Sequence, residues 1–299
     1  MMISIGLPVF NGEAYLEEAV TALLEQTHEN LELIIADNAS TDRTARIAAS
    51  FLSRDDRVRL IRHDRNLGAV ENYLSTLRAA NGELFKWAAH DDVCHPTFVQ
   101  RCIELLDDNP RAVLAYPRAL EVDETGHQIG EVPSRPALAS PDPATRLQEI
   151  GDLNSDVHPI FGVIRRHALE SCRPHGKFAG ADRVLLAELL LRGPFVEVPE
   201  PLFLFRKHSG QYSSAGMSSQ FKTAFWTGEG TDRPQWANWQ RLAGLRHAVI
   251  EAPLTATQRS SCRRVLARWV TAHWKRLVLD AYLVANHQLQ RVANRVSST

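Results

Sequence analysis

Asp91 and Asp92 stand side by side in FKWAAHDDVCHP (Phe85 to Pro96), with His90 before them and His95 shortly after. Neighbouring carboxylates repel, and a fold that keeps such a pair usually gives its charge a cation to hold. Other polar residues also close apolar runs: Asn11 and Glu13 after Ile3 to Phe10, and Asp37 to Ser40 after Leu31 to Ala36. Asn66 to Gly68 precede a helical stretch, Asp182 opens GADRVLL, and Arg206 and His208 lie in FRKHSG. The arginine fork and a histidine that donates or ligates suit a diphosphate. Asp182 suits proton removal or, more plainly, the start of a helix whose exposed amides it stabilises. Asp91 and Asp92 likewise have a plain reading, as a cap ahead of Pro96-Thr97.

These residues need elements that bring them together. Ile3 to Phe10 reads as a strand, and Glu13 to Glu25 as a helix through the spacing of Leu16, Ala19, Val20, Leu23 and Leu24. Leu31 to Ala36 is a second strand, and Thr41 to Leu52 a second helix with Thr41 or Asp42 as N-cap. Val58 to Ile61, Asn66 to Ala80 and Leu84 to Ala88 repeat the alternation. This order predicts an α/β fold, a mostly parallel sheet with flanking helices. Ligands of such sheets sit at the carboxyl ends of the strands, where the polar clusters would gather.

Past Ala112 a strand is expected at Val113 to Tyr116, a helix at Asp182 to Leu191 and a strand at Phe195 to Pro199. The Pro-rich EVPSRPALASPDP (Glu131 to Pro143) reads as a connection between two halves. Ser209 to Trp239, rich in Gly, Ser, Gln and Thr, reads as a long loop able to close as a lid over a bound ligand. A helical extension ends the chain. From Arg259 to Thr299 eight Arg or Lys stand against Asp280 alone, a local formal charge of +7. Leu266, Trp269, Val270, His273, Leu277 and Ala281 share one face of it, so packing on the body with a solvated basic face is the first reading. Peripheral contact with an anionic membrane or a lipid-linked acceptor is the second.

Composition narrows the class. With 299 residues, 44% hydrophobic, the chain can bury a full core, and its formal net charge of -1 gives no general reason to expect nucleic-acid binding. Cys94, Cys102, Cys172 and Cys262 form no CxxC pair, which excludes a zinc knuckle or redox motif and fits reduced thiols. The amino terminus lacks a basic region ahead of its apolar run, so a cytoplasmic location is expected, at the inner face of the membrane if the basic helix docks there. No GxGxxG follows a strand and Gly176-Lys177 lacks the upstream glycine of a phosphate loop, which removes dehydrogenase and P-loop readings.

In this order, ISIGLPVFNGEAYLEEAV, IIADNASTDRT, NLG and HDD resemble the nucleotide-sugar half of the inverting family-two glycosyltransferases, which have the Rossmann-like GT-A fold. The resemblance is strong over the first two-fifths of the chain and looser through FAGADRVLLAELLLRG and LFRKHSGQYS, to about residue 213. It implies a donor-binding half at 1–115, an acceptor and catalytic half at 116–213, and a loop with a helical region at 214–299. It implies transfer of a sugar from a nucleoside-diphosphate donor, commonly of uridine, to the hydroxyl of a saccharide or lipid-linked acceptor in surface polysaccharide or glycolipid synthesis. Asp37 and Asn38 would bind the nucleotide, with Pro8, Phe10, Asn11, Glu13, Asn66 and Gly68 around it. Relatives often carry Tyr where Phe10 stands, which removes one hydroxyl contact. They also carry Asp-x-Asp-Asp, so Ala89 replaces the first acid. Asp91 and His208 are the implied ligands of Mn²⁺ or Mg²⁺, His90, Asp92 and Arg206 the contacts to diphosphate or sugar, and Asp182 the general base. A nucleotidyltransferase would want a Gly- and basic-rich loop after Phe10, which is absent. A binding module without catalysis has only Ala89 in its favour.

Overall fold

The computed structural model describes residues 1–151, 158–174, 176–210, 225, 226, 228 and 236–296, with side chains as far as 289. Strands β1 (Ile3–Val9), β2 (Leu31–Asp37), β3 (Val58–Arg62) and β4 (Leu84–Trp87) alternate with helices α1 (Leu16–Leu24), α2 (Thr44–Phe51) and α3 (Ala69–Arg78). All seven residues of β1 and of β2 are buried, as the inner strands of a sheet covered on both faces must be. The buried positions of α1 are Leu16, Ala19, Val20 and Leu23, one stripe at helical spacing. Helix α2 begins at Thr44 with Arg43, not the expected Thr41 or Asp42, at the N-cap; Asp42 lies one residue further out and accepts from Thr44 N–H at 3.0 Å.

Beyond β4 come β5 (Val93–Cys94), α4 (Phe98–Asp108), β6 (Leu114–Val122), β7 (Gln128–Glu131), α5 (Pro143–Gly151), β8 (Val163–Arg165), α6 (Arg166–Glu170), α7 (Ala181–Arg192) and β9 (Phe195–Arg206). Two long helices follow, α8 (Ala237–Glu251) and α9 (Ala256–Val296). The sheet order is β3-β2-β1-β4-β8-β6-β9-β5, with β7 on β6. The block β3-β2-β1-β4 is parallel, whereas β8 runs antiparallel to both β4 and β6, and β5 antiparallel to β9. Strand β9 continues well past the expected Pro199, because its register against β6 shifts around Pro117 and Arg118, where Pro201 is accommodated.

Two cores flank the sheet. Helices α1, α2 and α4 pack on one face through residues such as Leu23, Phe51 and Phe98. Helices α5, α7, α8 and α9 cover the other through residues such as Leu147, Leu186, Leu245 and Trp269. The inner side of α9 is the one expected: Leu266, Trp269 and Leu277 are buried. Among the described residues no helix is long and apolar enough to cross a membrane. The stretch Ser209 to Trp239 lies mostly outside the described residues. Of its described members, Phe225 and Trp226 pack on Val70 and Leu74 of α3.

Candidate active site

The carboxyl ends of β1 and β2 meet through their loops. Asp37, fully buried, closes its own turn by accepting from Ser40 N–H at 3.0 Å, while Ala39 takes a left-handed φ of 61°. Asn11, also left-handed at φ 51°, accepts from Thr41 N–H at 2.9 Å and donates its own N–H to Ser40 Oγ at 2.9 Å. Non-glycine residues hold such conformations only where surroundings impose them, and these two strained turns brace one another. Glu13 accepts from Arg43 N–H at 2.8 Å, fixing the start of α2. Asn38 donates to Asn66 Oδ1 at 2.9 Å and accepts from Leu67 N–H at 2.9 Å, and Asn66 Oδ1 also takes Gly68 N–H at 2.8 Å. Pro8 is buried in β1, and Phe10 stands 42% exposed at the rim. The cradle is thus held in shape by its own side chains, and one group in it stays unused. Asp37 Oδ2 is buried and makes no hydrogen bond, with Arg62 Nε 3.5 Å away.

The second part of the site comes from the antiparallel pairing of β5 with β9. Val93 faces Leu204 and Cys94 faces Phe203, so the residues just before β5 lie opposite the end of β9. That register places Asp91 and Asp92 beside Arg206 and His208. His208 Nε2 and Asp91 Oδ2 are 2.8 Å apart. The Tyr15 ring lies 5.2 Å from the His208 ring and 4.8 Å from the Arg206 guanidinium, so Tyr15 braces both. His90 closes the gap to the first cluster. A Cβ on Gly12 would come within 2.5 Å of the His90 ring, so the close approach of these loops requires glycine there.

Arg206 is placed differently from a phosphate-binding arginine. It is 3% exposed, and its guanidinium donates to Asp91 O at 2.9 Å, Glu124 O at 3.2 Å and Glu18 Oε2 at 2.7 Å. Its backbone N–H donates to Asp92 Oδ1 at 2.9 Å. The fork expected on a diphosphate is instead committed to holding the aspartate pair in place.

The two adjacent carboxyls are driven apart in acidity. Burial pushes Asp91 up, but the hydrogen bond from His208 and the charges of His90 and His208 outweigh it and hold Asp91 below the usual range. Burial, and then the charge of Asp91, push Asp92 well above that range, against the opposing pull of Arg206 and Lys86. Asp92 Oδ2 is buried and unpaired. Lys86 lies under this motif, fully buried, donating to Trp87 O at 3.1 Å and Phe161 O at 2.5 Å, with Nζ 4.2 Å from the Phe98 ring centroid. A cation satisfied by carbonyl dipoles and a ring face survives burial.

Asp182 is the second residue of α7, half-buried, accepting from Arg183 N–H at 2.8 Å. Gly180 before it has φ 87°, and Arg241 of α8 donates to the carbonyl of Ala179 at 3.2 Å. Burial first, and then the charges of Asp91, Asp92 and Asp182, raise the Tyr73 phenol above its ordinary value. Tyr15, Glu18 and Lys86 touch or underlie the motif residues without standing in any motif, since each reads as ordinary helix or strand pattern.

A divalent ion fits this chemistry within limits. Among the described residues no group of three or more His, Cys, Asp or Glu could hold a metal. Asp91 and His208 offer one hard oxygen and one imidazole in contact, and the remaining coordination would fall to diphosphate and water oxygens, as Mg²⁺ and Mn²⁺ accept.

Comparison with known proteins bears on the family and the fold. A Haemophilus influenzae protein described as an uncharacterized glycosyltransferase is 25% identical over 232 residues, 75% of this chain and 71% of that one. An uncharacterized glycosyltransferase of Rickettsia typhi is 32% identical over 130 residues, 43% of this chain and 39% of its own. Glycosyltransferase GlyG of Streptococcus pneumoniae is 24% identical over 217 residues, 70% of this chain and 72% of that protein. In three dimensions the fold matches S. aureus TarS 1-349 in complex with UDP-GlcNAc, with a TM-score of 0.65 at 16% identity, over 92% of this chain and 73% of that one. Residues 4–173 match the family described as Glycosyl transferase family 2, a span that includes β1, the Asp37 turn and the Asp91-Asp92 pair, and the chain belongs to that family.

Proposed function

We propose that the protein transfers a sugar from a nucleoside diphosphate, UDP foremost, to a hydroxyl acceptor with inversion at the sugar carbon. The observation that carries this reading is Asp37 Oδ2, buried in an ordered cradle with no hydrogen bond and with the Arg62 guanidinium 3.5 Å away, an acceptor that a base N–H would satisfy. Asp37 and Asn38 would bind the nucleotide, and Asp91 with His208 would hold a divalent cation. A bound Mn²⁺ or Mg²⁺ supplies neutralisation of the charge that grows on the leaving diphosphate. Tyr15 and Arg206 keep the two ligands aligned.

Asp182 takes the proton from the attacking hydroxyl oxygen. That hydroxyl has a high pKa, so the carboxylate helps as the proton leaves in the transition state. The acceptor is a saccharide or a lipid-linked sugar, and the product belongs to surface polysaccharide or glycolipid. The test is a thermal-shift series with UDP, dTDP, GDP, CDP and ADP, each with and without Mn²⁺. A ligand at 100 times its Kd stabilises the folded state by about 2.7 kcal/mol. One diphosphate that stabilises strongly only with metal supports the reading and names the base, and the absence of any shift removes it.

A further inference from the structure

The outer side of α9 differs from a solvated basic face. Of the thirteen large apolar side chains that stand exposed among the described residues, nine lie between Trp236 and Leu289. On α9, Trp274 (55% exposed), Val278 (57%), Tyr282 (61%) and Leu289 (67%) follow at spacings of four, four and seven, one continuous stripe. The stripe adjoins a groove of about 790 Å³ between α8 and α9, lined by Trp239, Ile250 and Val270 with Arg246 and Arg263 at its sides. Arg264, Arg268, Lys275 and Arg276 are all exposed beside these apolar residues. The one acid of this helix points away, since Asp280 is 8% exposed and its two oxygens accept from Asn238 at 2.8 and 2.9 Å. The surface is therefore apolar and aromatic, with cations along its flanks and Glu251, 3.9 Å from the groove residue His247, as an exposed acid at the end of α8.

We infer that the outer face of α9, with the α8–α9 groove, docks on an anionic lipid bilayer, lying in its headgroup region. Charge complementarity selects this occupant. A second copy of this chain would bring the same cations against one another with Glu251, at the end of α8, a poor match for them in number, whereas an anionic leaflet meets each of them. Trp and Tyr at the level of Arg and Lys is the pattern of a helix lying in the interface, and α9 cannot cross a membrane. The inference stands apart from the transfer reaction, because vesicle binding is read with no donor or acceptor present.

The test is co-sedimentation of the full chain with vesicles of phosphatidylglycerol and phosphatidylcholine in equal parts, against phosphatidylcholine alone. Binding is expected to the mixed vesicles, weakened by salt. The Arg264→Gln, Arg268→Gln, Lys275→Gln variant should lose about fivefold in affinity for each cation removed. Trp274→Ser with Tyr282→Ser should lose more than about tenfold, with an unchanged circular dichroism spectrum. Binding to neither vesicle, or binding untouched by both variants, overturns the inference. So does a lipid-free dimer in sedimentation velocity that Trp274→Ser with Tyr282→Ser dissolves, for then a second copy covers the face.

Discussion

Strand β2 carries a buried carboxylate at each end, and the two are treated in opposite ways. Glu32, near its start and 5% exposed, accepts from Ser4 Oγ at 2.6 Å, Asn81 N–H at 2.7 Å, Asn81 Nδ2 at 3.1 Å and Arg59 at 2.8 Å. Asp37, five residues on and fully buried, has one oxygen bonded within its own turn and the other without a hydrogen bond. A buried polar atom left unmatched costs about 1–3 kcal/mol, which a fold tolerates where a ligand supplies the missing partner. The same residue class is therefore fully hydrogen-bonded at one edge of the sheet and only half so at the other, where the proposed donor site lies. Asp92 Oδ2, unpaired and buried beside Asp91, belongs with Asp37 in this contrast.

The largest effect expected at the binding edge is on chemistry. Asp182→Asn should reduce transfer by about 10²–10⁴-fold while UDP still raises the melting midpoint, because only the proton acceptor is removed. Steady-state rates beside thermal shifts check both halves, and loss of UDP binding would dissolve the distinction between base and donor site. Asp91→Ala should then erase the Mn²⁺-dependent part of the UDP shift, read as the difference between titrations with and without the ion.

At the opposite edge the expected effect is on stability alone. Glu32→Ala should cost about 1–3 kcal/mol in chemical denaturation and leave the UDP shift intact. Burial pushes the Glu32 carboxyl up, but its bonds from Ser4, Asn81 and Arg59 outweigh burial and hold it below the ordinary value. The ionised form is therefore the stabilising one. Its contribution is complete above the unfolded carboxylate's pKa and fades as pH falls through the lower folded value, below about pH 4. Denaturation curves of wild type and Glu32→Gln should converge on acidification, and curves that stay parallel would remove Glu32 from the pH response.

Smaller still, Asp37→Asn should change stability by no more than about 1 kcal/mol, since it deletes a charge and not a satisfied network, yet it should weaken the UDP shift. A large destabilisation would make Asp37 a second Glu32 and erase the contrast. Trp274→Ser with Tyr282→Ser should move neither midpoint nor UDP shift, because both side chains face solvent.

The binding edge was legible in the sequence because each cluster stands where an apolar run stops. Asp37 and Asp91 needed only that rule and the parallel topology. His208 was paired with Asp91 through the resemblance alone, since nothing local announces the β5–β9 register across the intervening chain. Arg206 misled because a motif records a residue's charge and not where its donors are spent. Lys86 reads as one polar position in FKWAAH, and its burial is visible only once Phe98 and Phe203 close around it. On α9 the inner stripe was readable from spacing. The outer apolar stripe is hidden in the sequence by the basic residues interleaved with it, since helical spacing marks the face that packs and not what the opposite face presents.

The β5–β9 register also bears on the order in which the molecule assembles. The cradle around Asp37 is tied by contacts about thirty residues apart, as from Asn11 to Thr41, whereas His208 and Asp91 are 117 apart and Arg206 and Glu18 are 188 apart. Closing a loop four times longer costs roughly 1 kcal/mol more in chain entropy, and contacts so distant form late. Topology thus favours a folding sequence in which the Asp37 cradle is complete before the aspartate and histidine meet.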